Sequence, residues 1–525
     1  MGFKTVNHEN WRTEFKNLQK HLPAAWQSVQ RDPDCERTVV VVPSISLPPS
    51  ELAGVAGSVH YEERLLSFLT LLSMPRTHVV YLSALQIPDE IVSYYLQFLP
   101  GVTFSHARER LHLISLMDRS DRPLTLKILE RPSVIERIKA KIVNPALSYI
   151  EAYYNTELER ELAAHLGIPL FGPSDDLNIL ATKSGTRGIF AKLGIAHPKG
   201  CGSLYSLEDI AQALIKLRSE CPNLRKVVLK LNEGFSGIGS IVLDLALFAG
   251  FKEAADIAGA LEELPRQVCG DVSWPLFCRI MKEQGGVLEA FIDTQVKTSP
   301  TMQVFINPMG EITIDSTHEQ ILGGSSALEF IGCSLPAKAC YVGALHRMGM
   351  VIAEELAKHG AVGPVSIDFL AVPKNAPGIG GLIEGDCGYE GDWAVCAIEI
   401  NLRRGGTTHP LHTTMFLTGG RYEPKTGTFS SQSGHKICYV SFSNIAPPES
   451  KGLCPNDIID IITDAGLHYN STLCSGVIFH MMGALSQYGR LGATCIARTQ
   501  EDAWELVEET KRVLSKEAKE LNWLL

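Results

Sequence analysis

A chain of 525 residues, with 45% hydrophobic and 20% charged residues, has the composition of a globular protein and the length of three or four domains. Its thirteen scattered cysteines contain no C-x-x-C pair, which argues against a disulfide framework or a structural zinc site. A net charge of −10 gives no basic surface for nucleic acid.

The hydrophobic segments of the chain are short. No apolar run approaches the ~18 residues that span a bilayer. The N-terminus is polar and lacks the apolar core of a signal peptide. We therefore expect a cytoplasmic protein with no membrane partner.

The first part of the chain predicts a helical segment followed by an α/β domain. Apolar side chains recur at helical spacing in residues 1–36, which form an N-terminal helical lead-in. The β-branched run at 37–43 and the apolar run at 77–82 predict buried parallel strands, each followed by a helix. This alternation is typical of a parallel α/β unit. We place that unit at 37–165, and we expect a long helix over 149–166 near its end.

The next segment combines lysines with a glycine-rich hairpin. Lys183 lies near the start of a predicted helix over 180–194, and Arg187 follows one turn later on the same side. A predicted hairpin over 227–245 carries Lys230 on its first strand and a turn rich in glycine and serine. Such a turn can bring backbone N–H groups to a phosphate chain, although an ordinary tight turn has the same composition.

Acids on otherwise apolar strands predict a metal site further along the chain. Asp368 and Glu399 each lie in a predicted strand, and Asn401 shares the face of Glu399. An acid in apolar surroundings needs a cationic partner or a metal. Carboxylate and amide oxygens suit Mg²⁺. Arg403 and Arg404 follow the second strand and could instead pair with the acids or hold an anionic intermediate.

The last part of the chain predicts a third, smaller unit. Strand and helix patterns alternate from residue 436 to a final helix over 501–524. We therefore place the middle domain at 166–428 and a small C-terminal α/β domain at 429–525.

Five of these elements, in this order, resemble the ATP-grasp ligases. The pattern of that family is a lysine-bearing helix ending in a G-I-x-x-P turn, a strand lysine with a glycine-rich lid hairpin, an acidic hinge strand, a strand aspartate and an E-x-N-x-R motif. The matching positions here are Lys183 to Pro198, Lys230 with 234–240, 289–292, Asp368, and Glu399 to Arg403. The order over 180–410 makes the resemblance specific where each element alone is not.

Four further segments resemble the pheganomycin-type peptide ligases of this superfamily. They read YEER at 61–64, SYYLQFLPG at 93–101, SPTMQVFINPMGEI at 299–312 and GVIFHMMGAL at 476–485. The resemblance covers nearly the whole chain. It implies an α/β fold with a Rossmann-like pre-ATP-grasp domain, a two-lobed ATP-grasp whose lid subdomain spans about 182–292, and the small C-terminal domain.

The same resemblance implies roles for individual residues. The implied catalytic residues are Arg403, Lys230 and Arg404. The implied magnesium ligands are Asp368, Glu399 and Asn401. The implied ATP-binding residues are Lys183, Lys230, Gly234, Ser236, Gly237, Ile238, Gly239, Glu289, Ala290, Phe291 and Ile292. The implied acceptor-side residues are His318, Glu319 and Gln320, and no acid in 293–298 is assigned to the ribose.

The implied activity is that of an ADP-forming carboxylate–amine ligase. The γ-phosphate of ATP would activate a carboxylate as an acyl phosphate, and an amine from an amino acid or peptide would then form the amide. The implied cofactors are ATP and two Mg²⁺ ions, with Mn²⁺ as an alternative metal. The implied partners are small molecules, with a homodimer left open. Two alternatives remain, namely a thiol or hydroxyl acceptor and a nucleotide-binding regulatory protein without turnover.

Overall fold

The computed structural model describes most of the chain. The described residues are 10–47, 52, 55–173, 177–234, 239–264, 267–269, 272–324, 328–376, 383–385 and 388–523. Two short helices, α1 (Trp11–Gln19) and α2 (Leu22–Arg31), form the N-terminal segment. They bury Trp11, Phe15 and Leu22, as the helical spacing of these residues predicts.

The first domain is built on a four-stranded parallel sheet with the order β3-β2-β1-β4. Its elements are β1 (Arg37–Val42), the 3₁₀ helix Ser58–Ser73, β2 (Thr77–Ser83), α3 (Asp89–Leu96), α4 (Phe104–Glu109), β3 (Leu111–Ser115), α5 (Leu124–Leu129), α6 (Pro132–Lys139), β4 (Tyr149–Ala152) and α7 (Glu157–Leu166). Val39 and Val41 face a core with the 3₁₀ helix, while Val40 and Val42 face a core with α1 and α7. Because both faces are covered, β1 reads as an uninterrupted apolar run.

The predicted helix over 149–166 is wrong in its first part. Residues Tyr149–Ala152 form strand β4, which pairs in parallel with β1. Helix α7 begins after Thr156, whose hydroxyl accepts a hydrogen bond from the Leu158 N–H (3.2 Å), while the Thr156 N–H donates to the Glu159 carboxylate (2.9 Å). This capping box fixes the helix start. The residues before it are therefore available to extend the sheet.

The lid subdomain has a sheet and a core of its own. Its elements are α8 (Asn178–Ala181), α9 (Lys183–Leu193), β5 (His197–Pro198), β6 (Gly200–Leu204), α10 (Leu207–Glu220), β7 (Lys226–Leu231), β8 (Ser240–Asp244), the 3₁₀ helix Leu245–Phe248, α11 (Ala254–Glu262), β9 (Gln267–Cys269), β10 (Val272–Ser273), α12 (Trp274–Gln284) and β11 (Gly286–Ala290). The antiparallel sheet has the order β6-β11-β7-β8, and α10, α11 and α12 pack against it. The predicted hairpin over 227–245 corresponds to β7 and β8.

The helix predicted over 180–194 is divided at Thr182. The Thr182 hydroxyl accepts a hydrogen bond from the Gly185 N–H (3.0 Å) and so caps α9. Lys183 consequently lies in the first turn of α9.

An eleven-stranded sheet runs through the remainder of the described structure. The elements of this part are β12 (Ser299–Ile306), β13 (Ile312–Gly323), β14 (Glu329–Leu335), α13 (Val342–Lys358), β15 (Gly363–Pro373), β16 (Ile383–Glu384), β17 (Gly388–Glu390), β18 (Trp393–Asn401), α14 (Thr408–Thr418), β19 (Arg421–Glu423), β20 (Thr428–Ser430), β21 (Lys436–Phe442), the 3₁₀ helix Pro448–Ser450, α15 (Pro455–Asp464), β22 (Gly476–His480), the 3₁₀ helix Met482–Ala484, α16 (Leu485–Tyr488), β23 (Gly492–Ala497) and α17 (Gln500–Trp523). The strand order is β17-β18-β15-β12-β13-β14-β21-β20-β19, and β23 joins β22 to β21. Helix α13 packs against β12, β15 and β18.

The C-terminal segment is continuous with this sheet through β21. Its apolar side chains share one core with the 3₁₀ helix Ser58–Ser73 and α3 of the first domain. The domain boundaries placed at 166 and 429 stay predictions. Among the described helices, none is both long and apolar enough to cross a bilayer.

Candidate functional site

Two predicted metal ligands lie directly opposite each other on neighbouring antiparallel strands. Asp368 of β15 pairs with Glu399 of β18, and residues opposite each other on one face of a sheet are in side-chain contact range. Asn401 Nδ2 donates to Asp368 Oδ2 at 3.3 Å, and the Ser366 hydroxyl donates to Asp368 Oδ1 at 3.3 Å. The sheet register therefore assembles two carboxylates and an amide at one place.

The surroundings shift the pKa values of the two acids in opposite directions. Burial, followed by the negative charge of Glu399, raises the pKa of Asp368 to about 6. Burial also acts on Glu399, but the Lys183 ammonium bonded to Glu399 Oε1 outweighs it and holds the pKa of Glu399 below its usual value. Neighbouring acids avoid ionising together unless a cation compensates them. Here Lys183 compensates Glu399, and the pKa of Asp368 is raised.

Lys183 is positioned by bonds between the start of α9 and the end of β7. The Lys183 N–H donates to the Asn232 carbonyl (3.2 Å), and Asn232 Oδ1 accepts from the N–H (3.0 Å) and the hydroxyl (2.8 Å) of Ser184. Asn232 Nδ2 in turn donates to the Gln284 carbonyl (2.8 Å). Ser184 and Asn232 are site residues that sequence reasoning missed. The sequence signal that could have identified them is position, because Ser184 directly follows Lys183 and Asn232 directly follows β7.

Lys230 lies in a second ion cluster, inside the lid sheet. Lys230 of β7 and Glu289 of β11 lie diagonally across neighbouring strands, and Lys230 Nζ is 2.7 Å from Glu289 Oε2. Arg187 of α9 donates to Glu289 Oε1 at 3.1 Å and to the Pro198 carbonyl at 2.6 Å. Burial raises the pKa of Glu289, but Lys230 and Arg187 outweigh it, so the pKa lies below its usual value. The carboxylate expected at the adenine is thus held by two cations.

Two backbone N–H groups of the predicted hinge donate hydrogen bonds to carbonyls of neighbouring segments. The Ala290 N–H donates to the Lys199 carbonyl (2.7 Å), and the Phe291 N–H donates to the Lys226 carbonyl (3.0 Å). Lys297 covers the hinge, because its Nζ donates to the Ile292 carbonyl (3.2 Å) and lies 4.5 Å from the centre of the Phe291 ring.

In the turn of the lid hairpin, only the residues next to the two strands are described. The Leu231 N–H donates to the Gly239 carbonyl (2.8 Å), and Gly239 has a φ of 87°. That backbone conformation favours glycine, and a Cβ there would lie 3.1 Å from Leu231 Cδ1. Gly234 is described as well, while the predicted residues Ser236, Gly237 and Ile238 lie outside the described residues.

The two consecutive arginines lie in different surroundings. Arg403 is within electrostatic range of Glu399 and Asp368, and its guanidinium is 5.2 Å from the centre of the Tyr154 ring. The Arg404 guanidinium instead pairs with Glu151 of β4 at 2.5 Å, and both side chains are buried. Arg403 therefore faces the carboxylate pair, while Arg404 binds the grasp sheet to the first domain. The catalytic role predicted for Arg404 receives no support from this contact.

The three predicted acceptor-side residues do not share one face. Consecutive residues of a strand point to opposite sides of a sheet. His318 is fully buried, its Nε2 is 2.6 Å from the Tyr439 hydroxyl, and burial lowers its pKa to about 3. Glu319 accepts hydrogen bonds from the Tyr341 hydroxyl and the Lys338 N–H on the other side. Gln320, on the side of His318, is half-buried.

Known proteins are similar to parts or most of this chain. A family model described as "IQCH-like, ATP-grasp" matches residues 251–376, and one described as "PGM1 C-terminal domain" matches residues 457–510. L-propargylglycine–L-glutamate ligase of Streptantibioticus cattleyicolor is 25% identical over 455 residues, which cover 84% of this chain and 86% of that protein. IQ motif-containing protein H of Danio rerio is 23% identical over 437 residues, which cover 74% of this chain but 41% of that protein.

Solved structures show a similar fold. Biotin carboxylase from Campylobacter jejuni, in its β-γ-ATP complex, has a TM-score of 0.55 at 14% identity, covering 92% of this chain and 95% of that one. N5-carboxyaminoimidazole ribonucleotide synthetase in its ADP complex has a TM-score of 0.51 at 12% identity, covering 91% and 97%. At such identities the likeness establishes the fold alone.

The chain has the fold of the ATP-grasp enzymes among these solved structures, and its sequence is similar to an ATP-grasp family model and to a ligase. The predicted fold class and the predicted resemblance to ATP-grasp carboxylate–amine ligases are confirmed.

Proposed function

We propose that the protein is an ATP-dependent ligase that activates a substrate carboxylate as an acyl phosphate, releases ADP and joins the acyl group to an amine. The observation that carries the proposal is the facing pair Asp368 and Glu399 with the Lys183 ammonium bonded to Glu399. This cluster offers metal-binding oxygens and a cation for phosphate in one partly buried place. Similarity to a protein named as a ligase of L-propargylglycine and L-glutamate supports an amino acid or peptide as the amine.

The donor set fits magnesium. Asp368, Glu399 and Asn401 offer two carboxylates and an amide oxygen, and Mg²⁺ commonly combines one or two carboxylates with substrate phosphates. Within the described residues, no group of three or more His, Cys, Asp or Glu side chains could hold a metal. Magnesium bound here would neutralise phosphate charge. We propose two Mg²⁺ ions, with Mn²⁺ as a substitute.

The lysines would exchange partners when ATP binds. Lys183 and Lys230 are bonded to Glu399 and Glu289, so their charges are balanced before a nucleotide arrives. ATP phosphates would replace the carboxylates as partners, and Glu399 would then be available to the metal. The lid residues 234–240 would cover the phosphates, and the hinge at 289–292 would hold the adenine.

The reaction would proceed in two displacements. A carboxylate oxygen of the substrate attacks the γ-phosphorus, the bond to the β,γ-bridging oxygen breaks, and ADP leaves. The amine nitrogen then attacks the acyl carbon, inorganic phosphate leaves, and the nitrogen loses a proton. Arg403 and Lys230 would stabilise the transferred phosphoryl group. Arg404, held by Glu151, would position the loop that carries Arg403.

The remaining parts of the proposal rest on the sequence. We propose the domain division 37–165, 166–428 and 429–525 after the lead-in 1–36, a cytoplasmic location and a homodimer. Cell fractionation tests the location, and size-exclusion chromatography with light scattering tests the oligomeric state.

Hydroxylamine trapping tests the proposed activity. Purified protein, ATP, Mg²⁺, hydroxylamine and a pool of carboxylic acids should yield a hydroxamate and ADP, because hydroxylamine replaces the natural amine. Release of AMP with pyrophosphate would overturn the acyl phosphate route. ATP binding without any ADP formation across acid and amine pairs would identify a nucleotide-binding protein instead.

A further inference from the structure

A buried arginine lies where the 3₁₀ helix Ser58–Ser73 meets the end of β22. Arg64 is 8% exposed. Its Nε donates to Met481 Sδ at 3.3 Å, and its guanidinium lies 4.2 Å from the centre of the Tyr61 ring. In the described part of the chain, no carboxylate lies within ion-pair distance of it. A buried charge without an opposite charge is costly to the fold.

Polar atoms without partners gather on the neighbouring helix faces. His409 of α14 lies near Arg64 and is buried, and its Nδ1 has no hydrogen-bond partner among the described residues. Thr413 follows His409 by one helical turn, Ser67 follows Arg64 by one 3₁₀ turn, and their hydroxyls are buried and equally unpartnered within the described residues. The two helices pack against each other. Such groups normally find partners in native proteins.

The segment after β22 covers this place with a strained backbone. The His480 ring lies 4.8 Å from the His409 ring. Met481 is 2% exposed and has a φ of 56°, a left-handed conformation that disfavours methionine. The Gly483 N–H donates to the Glu63 carboxylate at 3.1 Å. Two motifs without an assigned role, at 61–64 and at 476–485, therefore meet around one guanidinium.

We propose that Arg64, His409, Ser67 and Thr413 form a binding site for the carboxylate of an amino acid, namely the unreacted carboxylate of the amine substrate. The proposal rests on the proposed ligase function. A guanidinium binds the two oxygens of a carboxylate in a planar, bidentate arrangement. The imidazole and the two hydroxyls can supply further hydrogen bonds to the same oxygens.

The charge of the site selects a monoanion. Burial lowers the pKa of His480 to about 3 and places the pKa of His409 well below its usual range, with His480 and Arg64 adding to the effect on His409. Both imidazoles are consequently neutral, and Arg64 is the single positive charge of the site as described. A carboxylate balances one charge, whereas a phosphate dianion would leave one negative charge buried.

The site is connected to the proposed reaction centre. Helix α14, which carries His409, begins at Thr408, five residues after Arg403. The Arg404 guanidinium lies 4.6 Å from the centre of the Phe68 ring on the 3₁₀ helix, and that ring lies 5.4 Å from the ring of His412 on α14. The same two helices thus contact the arginine loop and form the carboxylate site. An amino acid held by its carboxylate would be positioned relative to that loop.

Binding measurements on the full chain test the site independently of turnover. The probes are the twenty L-amino acids as free acids and as α-carboxamides, titrated with a non-hydrolysable ATP analogue and Mg²⁺ present. We expect at least one free acid, but not its amide, to bind the wild-type protein. Arg64→Gln should weaken that binding tenfold or more and leave the affinity for the ATP analogue unchanged. Arg490→Gln, which removes an arginine bonded to the Tyr61 hydroxyl (2.9 Å), should change acid binding less than twofold.

Thermal melting of Arg64→Met provides the folding control. Because the variant removes an unpaired buried charge, we expect an unchanged or higher Tm together with lost acid binding. A lower Tm with unchanged acid binding would show a purely structural role and overturn the proposal. Equal binding of acids and amides, no binding of any acid, or tighter binding of inorganic phosphate would overturn it as well. If Arg64→Gln ligates the bound amino acid with an unchanged KM for that amino acid, the site is refuted while the ligase function stands.

Discussion

Two regions of the molecule bury ionisable side chains, and they differ in whether those side chains have partners of opposite charge. In the proposed nucleotide site, Glu289 is held by Lys230 at 2.7 Å and by Arg187 at 3.1 Å. In the 3₁₀ helix of the first domain, Glu62 accepts a hydrogen bond from a backbone N–H, and Arg64 has no carboxylate partner within the described residues. The first region balances its charges before any ligand binds. The second leaves the charge of Arg64 without an opposite charge among the described residues, and we propose that a ligand supplies it.

The pKa values of Glu62 and Glu289 show how cationic partners affect a buried carboxyl group. Glu62 and Glu289 are both buried, and burial raises the pKa of a carboxyl group. Lys230 and Arg187 reverse this effect for Glu289, whose pKa lies below its usual value. The pKa of Glu62 rises to about 8, because burial outweighs the Ala84 N–H and the more distant Lys127. The partner, and not the depth of burial, decides whether a buried acid is charged.

The largest effect is expected from removing a charge that the proposed reaction uses. Glu399→Gln should lower ADP formation by about 10³-fold or more, because a metal ligand and the charge that orients Lys183 are lost together. The neutral amide keeps a hydrogen-bond acceptor for Lys183, so the variant should remain folded. ADP release measures the effect, and Glu354→Gln on the exposed face of α13 is the matched control. Wild-type turnover in Glu399→Gln would show that the metal lies elsewhere.

The next effect concerns stability in the balanced region. Glu289→Gln removes the negative charge that is bonded to both Lys230 and Arg187, and breaking a buried pair in this way costs about 3–5 kcal/mol. The control is Glu157→Gln, which breaks an exposed pair with Arg12 whose side chains are 62% and 64% exposed. Exposed pairs contribute about 0.2–1 kcal/mol. Urea denaturation compares the two variants, and similar losses in both would show that the Glu289 cluster is not a balanced unit.

Local patterns in the sequence predict which residues carry charge, but not how those charges pair. The order of lysines and acids, together with the resemblance to the ATP-grasp ligases, predicts that Lys183, Lys230, Asp368 and Glu399 contribute to one site. The bond between Arg187 and Glu289 joins residues 102 positions apart. It depends on how α9 packs on the lid sheet. No local pattern contains that information.

Other differences between the predicted and the observed structure have separate causes. Residues Tyr149–Ala152 have a helix-compatible pattern, and only the open edge of β1 makes them a strand. The three acceptor-side residues are consecutive in a strand, so alternation alone separates His318 from Glu319. Arg404 differs from Arg403 because Glu151, in another domain, binds it. Tertiary contacts decide the first and the last of these cases, and strand alternation decides the second.

A third effect is a change in the pH dependence of stability in the unbalanced region. Below pH 4.5 the Glu62 carboxyl is protonated in the folded and the unfolded chain. As the pH rises from 4.5 to about 8, the unfolded carboxyl ionises first and the folded one stays protonated. The folded state then binds more protons, so the contribution of Glu62 to stability is full below pH 4.5 and is lost as the pH rises through about 8.

Glu62→Gln removes this loss, because an amide does not ionise and its oxygen can still accept the bond from the Ala84 N–H, which is 2.6 Å in the wild type. We therefore expect the stability of the variant, relative to wild type, to increase with pH between 4.5 and 8 and to level off above 8. Unfolding free energies at several pH values measure the difference. Parallel curves for the two proteins would mean that Glu62 is ionised in the folded state, and the contrast with Glu289 would then disappear.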